Sequence, residues 1–194
     1  MNQPYLLRSQ SDSRTAPRES RGDACLDAYQ LHLDYVLRTL RRLGVDRRDL
    51  EDMSHEVFLV LWRGWERYDP TRDFKPYLFG IVFRIAASHR RKYWRELSSP
   101  MVDRTDGGPS PELAIQAEQD RAVVLAALSC VPLQRRSVLI MRDLDEISMT
   151  DVAATLSIPL FTAYSRLRKA RREVEAAIRE IQSHPKRSVG PRAI

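Results

Sequence analysis

Between residues 24 and 43 the apolar positions Leu26, Tyr29, Leu33, Val36, Leu37 and Leu40 recur at three- and four-residue steps. That is the period of one helix face. Gly44 is placed to end this helix, because Gly takes the left-handed C′ conformation without a Cβ clash. The run Asp46-Arg47-Arg48-Asp49 offers an N-cap to a second helix that turns Leu50, Met53, Val57, Val60, Leu61 and Trp65 inward, and Asp69-Pro70-Thr71 breaks it. A third helix carries Tyr77, Leu78, Ile81, Ile85 and Ala86, then runs into Arg90-Arg91-Lys92-Tyr93-Trp94-Arg95. It begins apolar and ends strongly basic.

The pattern resumes after a gap. Pro111 stands at a first helical position, and Leu113, Ala117, Val124 and Leu128 follow on one face. A short helix from Pro132 to about Asp143 has Val138, Leu139 and Met141 as its core. Ser148 and Asp151 form a variant capping box, with Asp in place of Glu or Gln. Val152, Ala153 and Leu156 mark a short helix, Ser157-Ile158-Pro159 a tight turn, and Leu160, Ala163, Leu167, Ala170 and Val174 the inner face of a longer helix.

Three stretches lack any such period. Residues 1–22 read as a disordered arm. Residues 98–110, with Pro100, Pro109 and Gly107-Gly108, read as a flexible linker. Residues 183–194 read as a frayed tail. The expected fold is therefore all-α, with two small helical domains at 23–97 and 111–182 and a helix-turn-helix in the second.

Composition narrows the function. With 43% hydrophobic residues among 194, a real core is available and wholesale disorder is excluded. Only 7 Gly argue against a Gly-punctuated α/β enzyme. No apolar run reaches the roughly 18–20 residues of a membrane span, and the first twenty residues lack the apolar segment of a secretory signal. Cys25 and Cys130 lie far apart without a C-x-x-C spacing, which reads as two reduced thiols and a cytoplasmic compartment. A formal charge of +6 points to a polyanionic partner. His32, His55, His89 and His184 show no metal-ligand spacing and no catalytic pairing. The chain reads as a binder, with no enzymatic site, no cofactor, no metal and no small-molecule substrate.

Two surfaces carry the binding chemistry. In the helix-turn-helix, Ala153 is small where the two helices cross, Ile158 closes the turn, and Pro159 presets φ for the second helix. With Leu160, Ala163, Leu167 and Ala170 inward, the opposite face shows Phe161, Thr162, Ser165, Arg168, Lys169 and Arg172, flanked by Arg166. These are base-reading and phosphate-binding types, with an aromatic able to touch a thymine methyl. A solvated amphipathic helix is the plain alternative. In the first domain, the loop from Tyr68 to Lys75 offers Tyr68, Asp69, Thr71, Arg72, Phe74 and Lys75, and the helix after it offers Arg84, Arg90 and Arg91. Aromatics beside cations suit unpaired bases and a phosphate backbone. Equally, Phe74 could plug the core and the cations could answer the helix dipole.

The order of these blocks is more specific than either alone. DLEDMSHEVFLVLW at 49–62 and RYDPTRDFKPYLFGIVFRIAASHRRKYWRE at 67–96 resemble region 2 of the sigma-70 family, extracytoplasmic-function type. LSCVPLQRRSVLIMRDLDEISMTDVAATLSIPLFTAYSRLRKARREV at 128–174 resembles region 4. The resemblance implies an alternative sigma factor that binds bacterial core RNA polymerase and directs promoter recognition. It implies that Asp49, Asp52 and Glu56 lie on a polymerase-docking face, and that loop 68–75 with the next helix reads and opens the minus-ten element. The helix from Leu160 then reads the minus-thirty-five element. It also implies an anti-sigma protein as a partner. The sequence departs from the pattern at Ser157, where the family's turn has Gly, and at Glu146, where many members have Gly before the capping Ser. Tyr77, Arg84 and Ser88 stand where Trp, Asn and Asp are common. The competing function is an operator-binding regulator that uses the helix-turn-helix without docking on polymerase.

Overall fold

The structure is a computed structural model that describes residues 18–97 and 112–183. The expected linker and most of the arm and tail lie outside these residues. So do Pro111 and the side chains of Lys92, Tyr93, Trp94, Arg95, Leu113 and Ala117.

Among the described residues seven α-helices and no strand are present: α1 (Arg18–Leu43), α2 (Leu50–Gly64), α3 (Phe74–Leu97), α4 (Glu112–Ser129), α5 (Leu133–Leu139), α6 (Met149–Thr155) and α7 (Leu160–Ser183). Helix α1 starts inside the expected arm, at Arg18. The helix expected to run to Asp143 instead leaves α geometry after Leu139 and continues as a π-helical turn over Ile140–Leu144.

Helices α1, α2 and α3 form one bundle and α4 to α7 the other. The two share a single apolar core. Val36, Leu40, Val57, Leu61, Leu78 and Phe79 are wholly buried in the first, and Val138, Ile140, Met141, Val152, Ala163 and Ala170 in the second. Each side chain of Val or Leu size contributes roughly 1.5–3 kcal/mol when fully buried.

The inner face of α1 differs from the expected stripe. Cys25 and Tyr29 take the buried positions at its start, while Leu26 is 40% exposed. One residue is a 100° step around a helix, so burying Cys25 turns Leu26 toward solvent. Further along, Tyr35, Thr39 and Leu43 are buried as well, on a second face. That face is covered because α1 packs against α2 and α3 on one side and against α4 and α5 on the other. Helix α6 lies on α3 at Gly80, where a Cβ would stand 3.2 Å from Thr155 Cγ2. Val124 of α4 is also more exposed than expected, with Ala127 and Leu128 taking the buried positions.

Two helix ends use the same closure. After α1, the Gly44 N–H donates to Arg41 O and the Val45 N–H to Leu40 O, both at 3.0 Å, with Gly44 at φ 93°. This is a Schellman motif. After α6, Ser157 N–H donates to Ala154 O and Ile158 N–H to Ala153 O, with Ser157 at φ 52°. The turn of the helix-turn-helix thus needs a left-handed residue, and Ser supplies it at a conformational cost that Gly would not incur.

Candidate nucleic-acid interface

Helix α6 begins at Ser148, whose hydroxyl accepts from the Asp151 N–H at 3.1 Å while also bonding the Asp151 carboxylate. This holds the first helix of the motif in place, and Ala153 and Ala163 let α7 close on it. The outer face of α7 is then open. Phe161 is 83% exposed and Tyr164 54%. Arg168, Lys169 and Arg172 are exposed, and Thr162, Ser165 and Arg166 are half-buried. All seven expected residues lie on this helix.

Leu160 is a correction. It was expected inward but is 44% exposed at the helix entry, beside Phe161. The first turn of α7 projects past the core, so the buried register starts only at Ala163.

Grooves run along both sides of α7. One, of about 500 Å³, lies along Phe161, Tyr164, Arg168 and Arg172; the other, of about 350 Å³, adds Gln134 and Arg135 of α5. Tyr164, Gln134 and Arg135 were not singled out from the sequence. Tyr164 was within reach of sequence reasoning, since it follows Phe161 by three residues. Two arginines near this face are engaged. Arg135 pairs with Glu173 at 2.8 Å, tying α5 to α7. Arg171 holds the Asp143 carboxylate through two bonds of 2.7 and 2.9 Å, and those bonds push its pKa up. Arg168, Lys169 and Arg172 form none of the ion pairs described for this chain.

The second surface surrounds loop 68–75. Tyr68 stacks on Trp65 with ring centroids 5.5 Å apart, and its ring lies 5.3 Å from Phe74 and 5.0 Å from Tyr77. Phe74 is half-buried, packed on the core and edge-on to His32. Phe74 therefore seals the start of α3, with part of its ring left accessible. The Tyr68 hydroxyl donates to Arg72 O at 2.8 Å. Partial burial, with Asp69 and Asp73 nearby, raises the Tyr68 pKa.

Asp69 accepts from both the hydroxyl and the N–H of Thr71, at 2.7 and 3.0 Å. These bonds hold its carboxyl below the ordinary value. Asp69 and Thr71 thus shape the loop, while Arg72 and Lys75 are exposed. Arg84 and Arg91 of α3 are exposed and Arg90 is half-buried. Tyr77 donates to Gly64 O at 3.3 Å, fixing the ring beneath the loop.

On α2, Asp52 and Glu56 are exposed on one face. Asp49 makes no side-chain capping bond; it pairs with His89 at 3.3 Å and Arg48 at 3.7 Å. Both cysteines are free thiols, Cys25 buried and Cys130 exposed. Among the described residues no helix is long and apolar enough to cross a membrane, and no group of three His, Cys, Asp or Glu could hold a metal.

Comparison with known proteins matches residues 28–96 to Sigma-70 region 2 and residues 121–174 to Sigma-70, region 4. The chain is 28% identical over 147 residues to the ECF RNA polymerase sigma factor SigE of Mycolicibacterium smegmatis, covering 74% of this chain and 57% of that relative. It is 23% identical over 189 residues to the RNA polymerase sigma-H factor of Pseudomonas aeruginosa, covering 91% and 98%. The fold is similar to that of the sigma factor RpoE of Bartonella quintana, solved with the anti-sigma factor NepR, at a TM-score of 0.61 and 21% identity over 79% of this chain and 98% of that one.

Proposed function

The chain belongs to the sigma-70 family, extracytoplasmic-function type, and from that premise we propose that it binds core RNA polymerase and directs it to promoters. The observation that carries the reading is the pairing of two separate surfaces suited to nucleic acid, one on each bundle. The exposed Phe161 and Tyr164, with Arg168, Lys169 and Arg172, suit a major groove. Tyr68, Phe74, Arg72 and Lys75 suit an unpaired strand, whose bases stack on aromatics while cations follow the phosphates. An operator-binding regulator uses the first surface only, and the match of residues 28–96 to region 2 does not favour it.

Asp52 and Glu56 lie in the open for contact with a basic partner, and in this reading they dock on core polymerase. Asp49, held by His89 and Arg48, sits at the edge of that face. The chain acts as a binding subunit and leaves nucleotide chemistry to the polymerase. The Bartonella quintana relative was solved with an anti-sigma factor, which supports such a regulator here as well.

The test is run-off transcription with the full chain and core polymerase. Exchanging residues 69–73 for a Gly/Ser loop of equal length spares Tyr68 and Phe74. The variant should still engage the upstream element but fail to open the duplex, since Arg72 and the Asp69–Thr71 bonds that shape the loop are lost and the remaining aromatics are no longer held to capture a base whose unstacking costs a few kcal/mol. Permanganate reactivity of promoter thymines at the wild-type level would remove the loop from the mechanism.

A further inference from the structure

Between Leu160 and Glu173, α7 carries Arg166, Arg168, Lys169, Arg171 and Arg172. These cations are not equivalent. Arg168, Lys169 and Arg172 are exposed and, among the described residues, enter no ion pair. Arg171, and Arg135 from α5, are each held by a carboxylate from another helix or turn. Arg171 Nε and Nη2 donate to Asp143 Oδ2 and Oδ1 at 2.9 and 2.7 Å, and Asp143 belongs to the π-helical turn. Arg135 Nε and Nη2 donate to Glu173 Oε2 and Oε1 at 3.0 and 2.8 Å. Both pairs have the parallel two-bond geometry that fixes a guanidinium to a carboxylate most firmly.

The pairs stand on opposite sides of the helix. Arg171 and Glu173 are two residues apart, which is about 200° around α7. Arg171 lines the groove shared with Phe161, Tyr164 and Arg172, and Arg135 lines the other, with Thr162 and Lys169. A helix with its side chains is about 10–12 Å across and the major groove about 12 Å wide, so a helix seated there turns its flanks to the two phosphate walls. The paired arginines lie on those flanks. At each one a carboxylate already occupies the guanidinium edge that a phosphate would use.

Stability does not account for this arrangement. The side chains of the two pairs are 27–53% exposed, and ion pairs so open to water contribute little to the fold. Buried Ala163, Leu167 and Ala170 anchor α7 instead. The electrical consequence is larger. Each pair cancels one positive charge on the nucleic-acid face, and Glu175 adds negative charge beside Arg171. Phosphate attraction is independent of sequence and supplies essentially all of the affinity for non-cognate duplex. Sites competing with a promoter number on the order of 10⁶–10⁹ in a genome, so every free cation on α7 draws the chain toward DNA that it has no use for.

We propose that Asp143 and Glu173 restrain non-specific DNA binding: by pairing with Arg171 and Arg135 on the two flanks of α7, they withhold two cations from the phosphate backbone and leave the free chain available to core polymerase. The restraint is a property of α7 and its neighbours; its benefit to transcription rests on the function proposed above. Asp143 and Glu173 act through the arginines and touch no DNA themselves. One phosphate contact steepens the logarithmic salt dependence by about 0.9, which between 1 M and about 0.15 M salt amounts to about 5-fold in affinity.

The test titrates the full chain onto a fluorescent duplex of non-promoter sequence and follows anisotropy at several salt concentrations. Asp143→Asn and Glu173→Gln keep the shape of each side chain and remove its charge. Each should bind about 5-fold more tightly near 0.15 M salt, with a slope steeper by about 0.9; the double variant should gain about 25-fold and about 1.8 in slope. A purely structural role predicts the opposite, a lower melting temperature with affinity unchanged or weaker. Asp143→Glu keeps the charge and should bind as wild type does. Asp34→Asn adds the same net charge on an exposed position of α1 and should leave binding unchanged. Unchanged or weaker binding by folded Asp143→Asn and Glu173→Gln, or an equal gain from Asp34→Asn, would overturn the restraint. If one of the two variants loses its helical circular dichroism, the other decides, because the pairs join different elements to α7.

The second readout is run-off transcription with core polymerase while non-promoter duplex is added as competitor. The double variant should lose output at lower competitor concentration than wild type. Wild-type resistance to competitor in a variant that binds the duplex more tightly would overturn the benefit to transcription. Failure of the wild-type chain to direct any transcription would refute the sigma reading, while the anisotropy series would still decide the charge restraint.

Discussion

Replacing Phe161 by Ala separates the reading surface from the fold. Phe161 is 83% exposed, and its neighbours Ala163 and Leu167 carry the packing of α7. Its loss should therefore change stability by less than about 0.5 kcal/mol, as at other surface sites, and Ala is the better helix former. The effect on DNA should be far larger. A Phe side chain presents about 200 Å², most of it open here, and covering about half of that open area against a thymine methyl or sugar removes roughly 80 Å² from water. At about 25 cal/mol per Å² this is about 2 kcal/mol, or roughly 30-fold in affinity. The assay is upstream-element-dependent transcription by the full chain with core polymerase, run alongside thermal melting of the chain. Salt adds a second criterion. Phe161→Ala should leave the dependence on salt unchanged, because no phosphate contact is lost. Arg168→Ala should flatten the logarithmic slope by about 0.9 if it neutralises one phosphate. A fall in melting temperature with no change in promoter use would refute the placement of Phe161 at the DNA.

Gly44→Ala should destabilise the chain by about 2 kcal/mol or more, because φ 93° disfavours any Cβ and the new methyl would stand 2.7 Å from Arg136 Nη1. Arg136 cannot retreat cheaply: it is buried, donates to Val131 O and Ser129 O, and its pKa is lowered to about 10 mainly by burial. A loss of that size lowers the melting temperature by about 4–8 °C, and a shift under about 2 °C would refute the strain. Asp52→Arg should weaken core polymerase binding by about 1–2 kcal/mol while leaving the helical signal intact; unchanged binding would remove Asp52 from the docking face. Burial raises the Asp145 carboxyl above its ordinary value, against the opposing pull of the Tyr35 hydroxyl and of Arg42, Lys75 and Arg38. The folded chain then holds that proton more tightly than the unfolded chain, so the stabilising contribution is full at acid pH and declines as pH rises through the interval above 3.8. The stability of wild type relative to Asp145→Asn should decline with pH across that interval, and a rising difference would contradict the buried placement.

The sequence by itself determined where the helices run. A three- to four-residue apolar period is a direct imprint of 3.6 residues per turn, so the α2 and α3 faces, the α6 turn and the inner face of α7 from Ala163 onward could be read without coordinates. Gly44 and the capping pair Ser148–Asp151 were legible for the same reason, since their backbone chemistry is local. The residues of the α7 surface followed by subtraction, as whatever the inner face left over, and Leu160 escaped because the first turn of a helix can leave the core behind. Tertiary structure decided the rest. A helix covered on two sides buries two faces, and periodicity reports only the more apolar one; Tyr35 and Thr39 of α1 therefore carried no signal. Asp145 looks in sequence like any surface carboxylate, and only the approach of α1, with Tyr35 110 residues away, makes it a buried acceptor. The π-helical turn that precedes it was not read from the sequence either, where the apolar period simply continues toward Asp143. The residue types of each surface were thus written locally, while the seam between the bundles is set by contacts between residues that the chain order keeps far apart.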